Sequence, residues 1–182
     1  MTFDQSSGTV EWPAAIYGAL SRDEVRFVSY VPDAGHKCLI ELCQADSSMT
    51  ALPLTTEEEG IGLAMGAWLG GEKSVLLLQS SGVGNLVNAL GAIGECGFPF
   101  VMLVTMRGED GEFNPWQVPM GVATPSVLEA MGIVVERVTD PAQAGPATSS
   151  ALELAFQKEK GVALLISQSL IGIKSFQEQL DR

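Results

Sequence analysis

The sequence predicts an α/β protein, a doubly wound and mainly parallel sheet of about six strands with helices on both faces, layered as in a flavodoxin. Three observations carry this expectation. The runs Ser74–Gln79 (SVLLLQ), Phe98–Thr105 and Gly161–Ser167 (GVALLIS) are apolar almost throughout. Strands with one wet face alternate, so these read as strands covered on both sides. Such runs alternate along the chain with helix-like stretches. Finally, 182 residues that are 46% hydrophobic and 18% charged suffice for one domain with a large core.

The elements follow in order. Residues 1–11 read as a loose, flexible tail, and 12–182 as a single domain. Pro13 to Arg22 opens with proline in a first helical turn and continues with good helix formers. Val25 to Val31 is a short β-rich run. Gly35 to Gln44 places Cys38, Leu39, Leu42 and Cys43 on one helical side, and Met49 to Leu54 is a weak strand. Thr56 to Leu69 is a helix ended by Gly70 and Gly71. After the strand Ser74–Gln79, a helix starts at Gly84 or Asn85 and runs to Ile93, followed by the strand Phe98–Thr105. Residues 106–123, rich in Gly, Pro and polar groups, read as a long loop. A short helix from Pro125 to Met131, a strand from Ile133 to Val138, a helix from Pro141 to Lys158 and the final strand complete the chain.

Composition narrows the function classes. Twenty-two acidic against ten basic residues, a net charge of −12, argue against nucleic acid and against anionic membrane surfaces, both of which need a basic face. The mean hydropathy of +0.23 excludes intrinsic disorder. The longest clearly apolar run, Phe98–Val104, is far short of the roughly 20 residues of a membrane span. The polar, acidic start MTFDQSSGTVEW lacks the features of a secretory leader. Cys38, Cys43 and Cys96 form no CxxC pair and read as reduced thiols, so the expected compartment is the cytoplasm. A single histidine, His36, excludes sites built from several histidines of this chain, and no metal site is expected within it.

Four segments follow strands or open helices and are expected to converge on one sheet edge: 31–36, 80–85, 106–120 and the helix start at Thr56. In Gln79-Ser80-Ser81-Gly82-Val83-Gly84-Asn85, the glycines suit either a tight strand–helix turn or a ligand loop at a helix N-terminus. Val87 stands where the dinucleotide fingerprint needs a third glycine. The pairs Thr55/Glu58 and Thr56/Glu59 have capping-box spacing. Gly60, Gly62, Ala64, Gly66 and Ala67 make the following helix rich in small residues. Glycine in a helix costs about 1 kcal/mol relative to alanine, which close packing on another backbone offsets, so this helix is a candidate interface. His36 and Asp33 each read as a helix-start or turn residue or as a site residue. Arg107 suits an anionic substrate or a salt bridge to an acid of its own loop. Phe113 and Trp116 in that loop argue for docking rather than disorder.

Taken together, three segments carry a resemblance: TTEEEGIGLAMGAWLGG (55–71), SVLLLQSSGVGNLVNALGAIGECGFPFVMLVTMRG (74–108) and EFNPWQVPMG (112–121). Over about residues 13–170 the chain resembles the pyrimidine-binding domain of thiamine-diphosphate enzymes. It is most similar to the small α subunit of sulfopyruvate decarboxylase and the N-terminal part of phosphonopyruvate decarboxylase. The family places a cofactor glutamate before a small-residue helix, with glycine nine positions on, and Glu57 with Gly66 has that spacing. The resemblance implies that Glu57 is catalytic and binds the cofactor, with Thr56, Ser81, Gly82, Val83 and Gly84 beside it. It implies a substrate side with Asp33, His36 (also a catalytic candidate), Arg107 and Gln117. Lys37 reads as a solvated surface lysine or an aid to anion binding. The family's GDG motif for diphosphate and magnesium is absent from this chain. The resemblance therefore implies a separate diphosphate-binding (PP-domain) β subunit that carries Mg2+, and an α2β2 or larger assembly. The implied reaction is non-oxidative decarboxylation of a 2-oxo acid. The alternatives are carboligation with another 2-oxo acid, or a non-catalytic interaction module on the same fold.

Overall fold

A computed structural model describes residues 11–172; apart from Glu11, the expected tail lies outside them. In chain order the elements are α1 (Trp12–Arg22), β1 (Val25–Tyr30), α2 (Lys37–Ala45), β2 (Thr50–Pro53), α3 (Glu59–Leu69), β3 (Lys73–Gln79), α4 (Val83–Cys96), β4 (Phe100–Thr105), α5 (Val118–Ala130), β5 (Val134–Val138), α6 (Ala144–Lys158), β6 (Gly161–Ile166) and α7 (Gln168–Ile171). Short 3₁₀ turns, Ser80–Gly82, Pro115–Gln117 and Pro141–Gln143, lead into α4, α5 and α6.

The six strands form one sheet in the order β2-β1-β3-β4-β6-β5, parallel at every pairing. The uniformly apolar strands are the central ones, and their side chains divide between two cores. Val75 and Leu77, Val101 and Leu103, and Val162 and Leu164 face a core shared with α1, α2 and α6. Leu76 and Leu78, Met102 and Val104, and Ala163 and Leu165 face a second core with α3, α4 and α5. This two-sided burial is why the period-2 alternation of hydrophobicity is missing from these strands.

The chain leaves β1 for α2 on one face and leaves β3 for α4 on the other. Its neighbouring strands β1 and β3 therefore part company at their carboxyl ends, which opens a crevice there. The site is built around that edge.

Two expectations are corrected. The loop expected over 106–123 is shorter, because helix begins at Val118 rather than Pro125. Pro119 sits in the first turn, where its missing N–H is no loss, and Pro125 is accommodated inside the helix. Gly121 lets α5 press onto the preceding loop: a Cβ there would lie 2.8 Å from the Arg107 carbonyl carbon. The capping boxes also do not form. Helix α3 begins only at Glu59, no side chain caps it, and the Glu59 carboxylate reaches back to accept from the Thr55 N–H at 2.9 Å. On the outer side of α3, nothing lies within 4 Å of where a Cβ would stand at Gly62 or Gly66.

Candidate functional site

Glu57 lies in the turn between β2 and α3, and its residue is only 6% exposed. Its carboxylate spans the crevice to the start of α4. There it meets Gly82, where a Cβ would stand 2.6 Å from the Glu57 carboxyl carbon. Gly82 has an ordinary helical φ of −69°, so the turn itself does not demand glycine. What demands it is the room taken by the Glu57 side chain. Asn85, in the first turn of α4, donates to Glu57 Oε2 at 2.7 Å. Glu57 Oε1 has no hydrogen-bond partner among the described residues.

Beside this pair, Ser80 ties the segments together. Its hydroxyl accepts from the Arg107 N–H at 3.0 Å, and its carbonyl accepts from the Thr124 hydroxyl at 3.3 Å. Beyond it lies a small cleft lined by Asp33, Thr105, Arg107, Phe113 and Gln168. The Thr105 hydroxyl donates to Asp33 Oδ2 at 2.7 Å. The four segments singled out in the sequence do meet at one edge.

Arg107 is committed within the chain. Its Nε and Nη2 both reach Glu112 at 2.8 Å, the loop-acid partner the sequence offered. Glu112 also accepts from the N–H groups of Gly108 and Asn114 and from Gln168 Nε2. The Arg107 guanidinium, helped by those N–H groups and opposed by burial, holds the Glu112 carboxyl down at about 2. Burial pushes Glu109 up. The Ser167 hydroxyl, the Gln168 N–H and Arg137 outweigh it, so its net shift is downward. Two carboxylates thus latch the loop after β4 onto the end of β6.

The remaining sequence candidates divide. His36 is fully buried, and its Nε2 stands 3.2 Å from the Leu78 carbonyl and 2.9 Å from the Leu103 carbonyl. Two acceptors require Nε2 to carry the proton, which leaves Nδ1 a buried acceptor without a partner. Burial lowers the His36 pKa below its usual value, against the opposing pull of Asp33. His36 lies beneath the edge, not on it. Val83 is buried in the core, so only its main chain belongs to the edge. Gly84 is exposed, 3.7 Å from Met120 Sδ as measured from where its Cβ would stand. Thr56 and Ser81 are half-buried near Glu57 in sequence and at the Gly82 turn, respectively. Gln117 stands in the turn before α5 with its Oε1 buried and unpaired. Lys37 reaches Glu41 at the surface.

Sequence reasoning did not assign Asn85, Thr105, Glu112 or Gln168 to the site. Asn85 was within reach of it, as a donor side chain one turn into the helix after Gly82. Gln168 carried no signal, because only the fold brings the end of β6 beside Glu112. Among the described residues no cluster of three or more His, Cys, Asp or Glu side chains is placed to hold a metal ion.

Fold and site together define a doubly wound α/β protein whose candidate site, with one buried and underused carboxylate, lies at a topological switch point. No family model matches the chain. Individual relatives do. The chain is 34% identical over 161 residues to the sulfopyruvate decarboxylase subunit alpha of Methanothermobacter thermautotrophicus, covering 88% of this chain and 98% of the relative. With the subunit alpha of Methanococcus maripaludis it shares 37% over 153 residues, 84% of this chain and 92% of the relative. A phosphonopyruvate decarboxylase of Streptomyces viridochromogenes is 35% identical over 107 residues, which cover 58% of this chain but 27% of that protein. In fold the chain matches a 2-oxoglutarate:ferredoxin oxidoreductase from Magnetococcus marinus, with a TM-score of 0.70 at 16% identity over 88% of this chain and 29% of that one. The chain belongs to the family of sulfopyruvate decarboxylase alpha subunits.

Proposed function

We propose that this chain is the pyrimidine-binding α subunit of a thiamine-diphosphate-dependent carboxy-lyase that converts sulfopyruvate or phosphonopyruvate to the aldehyde. The bond between C1 and C2 breaks, carbon dioxide leaves, and a proton takes its place. Glu57 carries the reading: a buried residue at the switch point whose carboxylate, among the described residues, accepts one hydrogen bond and has one oxygen without a partner. Sulfopyruvate is preferred because three sulfopyruvate decarboxylase alpha subunits align over 90–98% of their own length.

The residues present fit the pyrimidine half of the cofactor. When bound, thiamine diphosphate supplies a carbon nucleophile and an electron sink. Glu57 Oε1 would hydrogen-bond a ring nitrogen of the pyrimidine and hold or release a proton there. Gly82 leaves room for that carboxyl group. Thr56, Ser81, Gly84 and the main chain of Val83 form the rest of the wall. Asp33, Arg107 and Gln117 are assigned to the substrate side. His36 acts on it through the loop it anchors.

Diphosphate and Mg2+ are assigned to a separate β subunit with the missing motif, so the cofactor bridges two chains. The bare side of α3 and the 88% exposed Trp116 are the contact surfaces for an α2β2 or larger assembly. Arg107 is already neutralised by Glu112, so the substrate's sulfonate draws its main cationic partner from the β subunit. The working compartment is the cytoplasm; no helix among the described residues is long and apolar enough to cross a membrane.

The test is co-expression with a diphosphate-binding chain and assay of aldehyde release from both acids. Turnover requiring both chains, thiamine diphosphate and Mg2+ is expected, faster with sulfopyruvate. No complex with such a chain, or full turnover in Glu57→Gln, would sink the proposal. Carboligation products in place of aldehyde would turn it into a carboligase.

A further inference from the structure

We propose that Asn85 is the positioning residue for Glu57, the side chain that chooses which carboxylate oxygen faces the reaction; the inference rests on the role assigned to Glu57 above. Asn85 is the third residue of α4, and side chains in a helix lean toward its N-terminus. That lean carries the amide back over Gly82, where the Glu57 carboxylate lies. An amide N–H can only donate, so Oε2 is an acceptor as long as the 2.7 Å contact holds. The contact favours placing any proton that Glu57 holds or shares on Oε1, the oxygen without a hydrogen-bond partner among the described residues. Gly82 completes the device: it leaves the carboxyl group room against the turn, where Asn85 is the one side chain among the described residues that donates to it.

Asn85 has the profile of a residue kept for this contact. It is solvent-exposed, packs in neither core, and its only side-chain hydrogen bond among the described residues is the one to Glu57. Its removal disturbs no core packing.

The experiment compares Asn85→Asp, Asn85→Ala and Glu57→Gln in the α–β complex, alongside the wild type. Asn85→Asp keeps the shape and replaces the amide donor with a second carboxyl group that competes with Glu57 for a proton. We expect kcat to fall about 100-fold in Asn85→Asp and about tenfold in Asn85→Ala. KM for the 2-oxo acid stays within twofold, because the substrate does not touch Asn85. A second readout does not depend on turnover: the side-chain carboxyl 13C resonance of Glu57 in the full-length α chain, identified by its loss in Glu57→Gln. It should move in both Asn85 variants while their melting temperatures stay at the wild-type value. An unmoved resonance, or kcat within twofold of wild type in Asn85→Asp while Glu57→Gln is inactive, overturns the positioning role alone. Full activity of Glu57→Gln overturns the reading of Glu57, and the positioning role falls with it.

Discussion

Two buried carboxylates stand at the same sheet edge and are treated in opposite ways. Glu112, whose side chain is 2% exposed, is bound by two guanidinium nitrogens, two main-chain N–H groups and the Gln168 amide. Glu57, 6% exposed as a whole residue, receives one hydrogen bond among the described residues. A carboxylate out of water needs donors, and an ionised one saturated with them is a structural fastening. One left short is held ready for a partner outside the chain. Burial alone would rank the two alike; donor count separates the fastening of a loop from the working group of a site.

Removing each acid tests this contrast in different currencies. Glu57→Gln should lower turnover of the complex by roughly 10²- to 10⁴-fold, the span of an acid–base group. Its urea unfolding should shift by less than about 1 kcal/mol, since the amide oxygen still accepts from Asn85. Glu59→Gln, two positions on and bonded among the described residues to the Thr55 N–H, should keep most of the activity. Glu112→Gln should do the reverse and cost roughly 3–5 kcal/mol of stability, the penalty for leaving Arg107 without its buried counter-ion. Similar stability losses in Glu57→Gln and Glu112→Gln would break the contrast.

Protonation sharpens it. The Glu112 carboxyl lies near 2 in the folded chain against its ordinary 4.5. A depressed carboxyl pKa contributes stability that is present above 4.5 and is lost as pH falls from there toward 2. That loss should vanish from the acid-unfolding curve of Glu112→Gln. His36 acts earlier. Buried and neutral in the fold, it takes up its proton more readily once unfolded, so stability begins to fall as pH drops below its usual 6.5. In His36→Gln that first step should be missing.

How much of this was legible in the sequence follows from the range of each interaction. The sheet was legible because SVLLLQ and GVALLIS carry double-sided burial in their own composition. The convergence of four loops followed from parallel topology. Glu57 stood out only by its spacing to Gly66, because a run of three glutamates at a helix start has an ordinary explanation in capping and dipole. The start of α5 was hidden because the Gly, Pro and polar groups of 106–123 read as loop and the helix was placed from Pro125, while the contact that favours the earlier start, Gly121 on the Arg107 carbonyl, joins different elements. His36 misled for a related reason. A histidine beside Pro32 and Asp33 looks like a site residue, yet it is bonded to Leu78 and Leu103, which are 42 and 67 positions away.

Asp33 is the intermediate case and the most delicate test. Its carboxylate lines the cleft and accepts one side-chain hydrogen bond, from Thr105. By donor count it resembles Glu57 rather than Glu112, so it should be available to the substrate although it sits in a turn. Asp33→Asn keeps the shape and an oxygen to accept from Thr105, and it removes only the charge and the proton-holding oxygen. Stability should move by no more than about 1 kcal/mol. If Asp33 serves the reaction, kcat falls about tenfold, about 1.4 kcal/mol of barrier. At the same time KM for the anionic acid stays level or drops, because a repelling charge has gone. A turn residue would leave both constants alone. A rise in KM with kcat unchanged would mean that Asp33 holds the substrate without serving the reaction, and donor count would then fail to separate working carboxylates from fastening ones at this edge.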